Sequence, residues 1–313
     1  MKIAIAQRSP VLLDRDRTLD VVLDSMREAA AGGASLVAFG ETFLPGYTIW
    51  LDRTDAAQFD SDRQKDIHAR YLANAINISD GDLNPVLATA RELNLAVVLG
   101  IAETDRTRGE SLFATAVSVS QTGEVVASHR KLVPTYEERL AWASGDAQGL
   151  RTWPLGEFTV GVLNCWENWM PLPRATLYAQ GENLHVAIWP GSQRLTADVT
   201  RFIARESRSF VVSASGFYTG KSVPADFPHR DAVVRDDDEL IQDGGSCIAA
   251  PDGTWVLEPQ VGRESILFAE LDRNAVRRER QNFDPAGHYS RPELLQLRVD
   301  RRRSALSTDD DHV

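Results

Sequence analysis

Two cysteines, three methionines and six histidines among 313 residues leave little of the chemistry that sulfur and imidazole usually bring. Two thiols, Cys165 and Cys247, cannot make a disulfide framework, so a reducing compartment, the cytoplasm, is expected. The same count excludes a zinc site built from cysteine. The scattered histidines form neither HxH nor HExxH, so no metal and no cofactor are expected. No run of about 18 apolar residues occurs, which excludes a membrane-spanning helix. Positive charge is also short: 34 Lys and Arg face 45 Asp and Glu, giving a net charge of −11. That balance argues against nucleic acid or an anionic membrane as partner. Met1 to Gln7 has no long apolar stretch or cleavage site and reads as a strand, not a leader.

Apolar, β-rich runs are abundant by contrast. They fall at 2–7, 35–39, 96–102, 114–120, 125–128, 159–164, 186–189, 210–215, 246–250 and 265–271. Between them, helical spacing is expected at about 18–31, 64–78, 81–93, 174–180 and 196–207. In the first, Leu19, Val22, Leu23, Met26 and Ala30 fall on one face, and Gly32-Gly33 stops the helix. Strands and helices alternate, hairpin-like pairs lie between them, and about ten strands are too many for one small sheet. The expected fold is α/β: two mixed β-sheets covered by helices, a four-layer α-β-β-α sandwich. One domain is expected over 1–295. A charged tail over 296–313 follows, where Arg301-Arg302-Arg303 and Asp309-Asp310-Asp311 read as solvated blocks.

Three reactive side chains stand just beyond apolar strands, where sites gather in α/β sheets. "SLVAFGET" runs into Glu41, "VVASHRK" into Lys131, and "TVGVLNC" into Cys165. A carboxylate can take a thiol proton, a thiolate can attack carbon, and an ammonium can hold the negative charge that develops. Such a set suits addition to a carbon–nitrogen multiple bond or to an amide. Taken singly, each residue reads more plainly as a solvated charge or, for Cys165, as a small buried apolar side chain.

The three segments together resemble the nitrilase (carbon–nitrogen hydrolase) superfamily, collinearly from Met1 to Leu295. "GETFLPGY" at 40–47, "HRKLVPTYEER" at 129–139 and "NCWENWMPLPR" at 164–174 are similar to its glutamate, lysine and cysteine motifs. The resemblance implies Cys165 as nucleophile, Glu41 as general base and Lys131 as stabiliser of the nitrogen anion, joined by the backbone N–H of Trp166. It also implies Glu138 as a second glutamate that orients the lysine or the water. Glu137 reads as a surface carboxylate, His129 as structural, and Cys247, with no base in its surroundings, as a buried structural thiol. Trp166, Trp189 and Tyr47 are candidates for lining the substrate pocket, with core packing as the other reading for the two tryptophans. Cys165-Trp166-Glu167 resembles the branch acting on nitriles, as does "FDPAGHYSRPELL" at 283–295, and Asn168 is similar to organonitrile members. The implied substrate is a small-molecule nitrile. An amidase of the same superfamily, or a silent binding protein on the same fold, is the alternative. Where relatives often carry Trp-Gly-x-Gly-Asp, this chain has Trp142-Ala143-Ser144-Gly145-Asp146, which puts one loop in question. The short segment after Leu295 implies a homodimer or short homo-oligomer in place of a long filament.

Overall fold

The computed structural model describes residues 1–303. Its first sheet holds β1 (Lys2–Gln7), β2 (Leu36–Ala38), β3 (Ala96–Thr104), β4 (Leu112–Val119) and β5 (Val125–Arg130). The second holds β6 (Trp153–Leu155), β7 (Phe158–Asn164), β8 (Leu184–Trp189), β9 (Phe210–Ser215), β10 (Phe217–Thr219), β11 (Leu240–Ala249) and β12 (Trp255–Val261). A last strand, β13 (Ser265–Glu270), returns to the first sheet beside β1, so the orders are β13-β1-β2-β3-β4-β5 and β10-β11-β9-β8-β7-β6, with β12 on β11. Both sheets are mixed: β1, β2 and β3 run parallel, as do β7, β8 and β9, and the flanks are antiparallel.

Side-chain alternation decides what each face covers. In β1, Ile3 and Ile5 enter the core between the sheets, while Ala4 and Ala6 face helices. In β8, Leu184, Val186 and Ile188 enter the same inter-sheet core, while Ala187 and Trp189 face outward. The outer face of the first sheet is covered by α1 (Arg15–Ala31), through Val22, Met26 and Ala29, and by α3 (Asn84–Leu93), through Val86 and Ala90. The outer face of the second is covered by α5 (Gln193–Ser207), through Val199, Ile203 and Ala204. These are the four layers expected from the sequence. The remaining helices are α2 (Asp62–Asn74), α4 (Pro171–Tyr178), α6 (Arg230–Val233) and α7 (Arg273–Glu279).

Boundaries moved for local reasons. α1 begins before Thr18 because Asp14 caps it, accepting the Arg17 N–H. α2 stops at Asn74 because Ile76 leaves to bridge Glu103, its N–H donating to the Ala102 carbonyl. α4 starts at Pro171, since proline suits a first helical turn. β6 and β12 escaped the sequence reading because Pro154 and Pro259 break their pattern; both are edge strands, where proline is tolerated. Of the charged tail expected over 296–313, residues 296–303 form neither helix nor strand. Arg301 and Arg303 are partly buried there: Arg301 donates to the Leu150 carbonyl, and Arg303 lies 3.5 Å from Asp146. The acidic block Asp309-Asp310-Asp311 lies outside the described residues.

Candidate active site

Glu41, Lys131 and Cys165 come together at the seam between the sheets. Glu41 follows β2 and Lys131 follows β5, both in the first sheet; Cys165 follows β7 in the second. Each is at most 3% exposed. Sγ of Cys165 and one carboxylate oxygen each of Glu41 and Glu138 lie within 4.8 Å of one another. Three such donors could hold a cation by distance alone. Here an ammonium takes that place: Nζ of Lys131 is 2.8 Å from Oε1 of Glu41 and 2.6 Å from Oε2 of Glu138.

Backbone contacts set these positions. The Glu41 N–H donates to the Trp189 carbonyl at 3.0 Å, crossing from one sheet to the other. The Lys131 N–H continues the ladder to the Ala114 carbonyl, and the Lys131 carbonyl accepts from Gly145. The loop carrying Ala143 is therefore held to the lysine segment by the glycine it retains. Gly100 of β3 packs under Glu41 so closely that a Cβ there would lie 2.2 Å from the Gly40 carbonyl oxygen and 2.8 Å from Cα of Glu41. No side chain fits at that crossing.

Cys165 has φ +45, the left-handed region a non-glycine residue rarely enters, at an order-of-magnitude cost of 1–3 kcal/mol. Two hydrogen-bonded groups hold this turn. Glu167, fully buried, accepts the Asn164 N–H at 3.0 Å and the Leu132 N–H at 2.5 Å, with Nε2 of His129 3.1 Å away. It thereby ties the residue before the thiol to the residue after the lysine. Asn168, also buried, donates Nδ2 to the Cys165 carbonyl at 2.8 Å.

Burial governs the electrostatics. It pushes the Glu41 carboxyl up to about 8; Lys131 pulls the other way, and Glu138 adds to the rise. The Cys165 thiol lies well above its ordinary value, again from burial, with Lys131 and the Trp166 N–H opposing and Glu41 and Glu138 adding. Burial lowers Lys131, but the neighbouring acidic groups Cys165, Glu41 and Glu138 outweigh it and hold the ammonium above its ordinary value. Burial also opposes Glu167, yet His129 and the two backbone donors hold it below its usual value. Among the described residues, neither oxygen of Glu41 receives a well-aligned hydrogen bond. A buried carboxylate left in that condition can accept a proton from a thiol or a water.

The other sequence candidates fall in distinct places. Glu138 is 3% exposed and fully engaged: Tyr47 Oη donates to Oε1 at 2.6 Å, while Lys131 and the Thr135 N–H donate to Oε2. Tyr47 thus holds a carboxylate and packs edge-on against Trp142. Tyr47 and Glu138 also line a cavity of about 290 Å³, with Leu51, Asp52, Glu137 and Gln242. Trp166 is half exposed; Trp189 is fully buried, its Nε1–H donating to Ser213. Neither borders that cavity. Cys247 is buried on β11, its thiol pushed up to about 11 by burial and donating to Thr200 at 3.5 Å. The sequence reading missed Trp142, whose ring lies 5.6 Å from the Lys131 ammonium, and the pair His185–Asn168. A histidine within the apolar strand "LHVAIW" was the available signal for the latter.

Residues 2–281 match the family model of the carbon–nitrogen hydrolases. Among curated proteins, the chain is 35% identical to an aliphatic nitrilase of Rhodococcus rhodochrous, over 96% of this chain and 80% of that one. It is 34% identical to an aliphatic nitrilase of Sinorhizobium fredii (strain HH103), over 97% of both. Among solved structures, an amidase from Nesterenkonia sp. is similar in fold, with TM-score 0.65 and 22% identity over 90% of this chain and 94% of that one.

Proposed function

The chain belongs to the carbon–nitrogen hydrolase family, and from that premise we propose that it is a nitrilase, converting an organic nitrile to the carboxylic acid and ammonia. The observation that carries the reading is the buried cluster of Glu41, Lys131 and Cys165, with a carboxyl and an ammonium beside a thiol. The thiol of Cys165 is neutral at rest. Glu41 takes its proton as Sγ bonds to the nitrile carbon, and the nitrogen that gains the electron pair is met by the Lys131 ammonium and the Trp166 N–H. Glu41 gives the thiol proton up to that nitrogen by way of Lys131, which forms the thioimidate and restores the carboxylate. Glu41 then draws a proton from a water that adds to the same carbon; ammonia leaves, and a thioester remains. A second water, activated in the same way, releases the acid and returns the thiol.

Glu138 orients the lysine and is oriented in turn by Tyr47 and Thr135. Trp166 and Trp189 act as walls near the nucleophile. The cavity of about 290 Å³ that reaches Tyr47 and Glu138 is the entry side we assign to a small nitrile. Two free thiols support a reducing compartment, the cytoplasm, as the working place. A homodimer or short homo-oligomer is supported by Trp169, Leu172 and Phe202, apolar and exposed on or beside α4 and α5. Light scattering that gives a monomer at all concentrations removes this last point.

The test of the reaction is ammonia release from a panel of nitriles and a panel of amides, with Cys165→Ala as control. Hydrolysis of nitriles that vanishes in Cys165→Ala is expected. Activity on amides alone makes the protein an amidase, and activity that survives Cys165→Ala removes the mechanism.

A further inference from the structure

A chain of buried polar side chains runs from the core to the nucleophile, and the proposed chemistry makes no use of it. Glu182, in the turn before β8, has its Oε1 2.9 Å from Nδ1 of His185. Nε2 of His185 is 2.7 Å from Oδ1 of Asn168. Nδ2 of Asn168 donates to the Cys165 carbonyl at 2.8 Å and lies 3.4 Å from that of Leu163. All three side chains belong to residues with 0% exposure.

Donor and acceptor roles follow from the end nearest the thiol. Asn168 faces two carbonyls with its NH₂, so its oxygen faces the ring, and Nε2 of His185 must carry a proton. The remaining ring nitrogen is engaged by Glu182. The carboxylate in turn occupies space made by Gly161 of β7, where a Cβ would lie 2.0 Å from its Oε1. The Arg174 side chain donates to the Asn168 carbonyl at 2.8 Å, fixing the backbone of the same residue. From Nε2 of His185 through Asn168 the buried hydrogen bonds therefore have one donor order, which ends on the carbonyl of a residue at φ +45.

We propose that Glu182, His185 and Asn168 form a positioning relay: it clamps the Cys165 carbonyl and so holds the strained turn that aims the thiol and the Trp166 N–H into the site. The relay touches no substrate and acts through Cys165 alone. Without the clamp, the peptide after Cys165 turns towards ordinary backbone angles, and both groups lose their aim. This inference rests on Cys165 being the nucleophile of the proposed reaction.

The experiment compares Asn168→Leu, which matches the shape and removes the clamp, with two changes behind it. His185→Phe removes the donor to Asn168, whereas His185→Gln keeps an amide donor there. Each chain, checked for native near-UV circular dichroism, is labelled with iodoacetamide, and Cys165 is followed by peptide mass spectrometry with Cys247 as internal reference. The rate on Cys165 is expected to fall about 100-fold in Asn168→Leu, as a misplaced reactive group does. It falls about tenfold in His185→Phe and returns to within about threefold of wild type in His185→Gln. Turnover of a nitrile follows the same order in kcat, with KM nearly unchanged. Folded Asn168→Leu labelled at the wild-type rate overturns the relay, as does His185→Gln no better than His185→Phe. Labelling needs no nitrile. Wild-type protein that is inert towards nitriles but shows the expected labelling order sinks the proposed reaction and leaves the relay standing.

Discussion

Glu41 combines two demands that pull against each other. In the proposed reaction it must be ionised to take the thiol proton, yet burial raises its carboxyl to about 8, so in the folded protein it holds a proton that the unfolded chain has already released. The raised value means that stability contributed by this group is present below about 4.5 and declines as the pH climbs to about 8. Activity runs the opposite way, and kcat/KM is expected to drop as the pH falls through about 8. Glu41→Gln should therefore be inactive, and above pH 8 its thermal midpoint should exceed that of wild type; a lower midpoint there contradicts the assignment. Tyr47→Phe removes one donor from the Glu138 carboxylate, a hydrogen bond to a charged group worth roughly 1.5–3 kcal/mol. A tenfold or greater loss in kcat, with the fold intact, is the expected result. At this scale the sequence was most legible: Glu41, Lys131 and Cys165 stood at strand ends in motifs that belong together. Tyr47 was singled out for a different task, because nothing in the sequence shows that its hydroxyl reaches a carboxylate 91 positions away.

Strands and turns explain why those three residues meet. Glu167 sits two residues after the thiol and looked like a marker of substrate class. In the structure it is a clasp, joining Asn164 at the end of β7 to Leu132 beyond β5. Glu167→Gln presents an NH₂ group to one of two backbone donors, so one of the two ties must be lost. Its kcat should fall by at least tenfold, a loss that comparison with Glu167→Ala assigns to the tie: if Ala is the more active variant, the clasp is not what positions the pair. Central strands such as Ala96–Thr104 were readable because unbroken apolar runs can only be buried on both faces. Edge strands β6 and β12 were not, since a strand with one solvated edge tolerates proline and shows no such run. Helix starts were misplaced where the signal was a single capping side chain, Asp14, several residues before the apolar stripe.

The whole molecule is two sheets facing each other across one apolar layer, with Ile3, Ile5, Val186 and Ile188 among its members. The layer count was legible from the number of apolar strands, but the pairing of β13 with β1, which brings the two ends of the domain together, was not. That contact joins positions from Lys2 with Glu270 to Gln7 with Ser265, far apart in the chain, and local pattern carries no trace of it. Ile188→Ala opens a gap in the layer and should lower stability by about 2–5 kcal/mol, read by urea titration. Cys165 comes from one sheet, and Glu41 and Lys131 come from the other. Hydrogen bonds cross beside them, from the Glu41 N–H to the Trp189 carbonyl, from Nδ2 of Asn164 to the His129 carbonyl, and through Glu167 between Asn164 and Leu132. The reacting groups therefore act as a gauge of the spacing between sheets. In wild-type protein and more so in Ile188→Ala, turnover should disappear at urea concentrations where circular dichroism still reports full secondary structure, because each sheet can stay whole while the two lose register with each other.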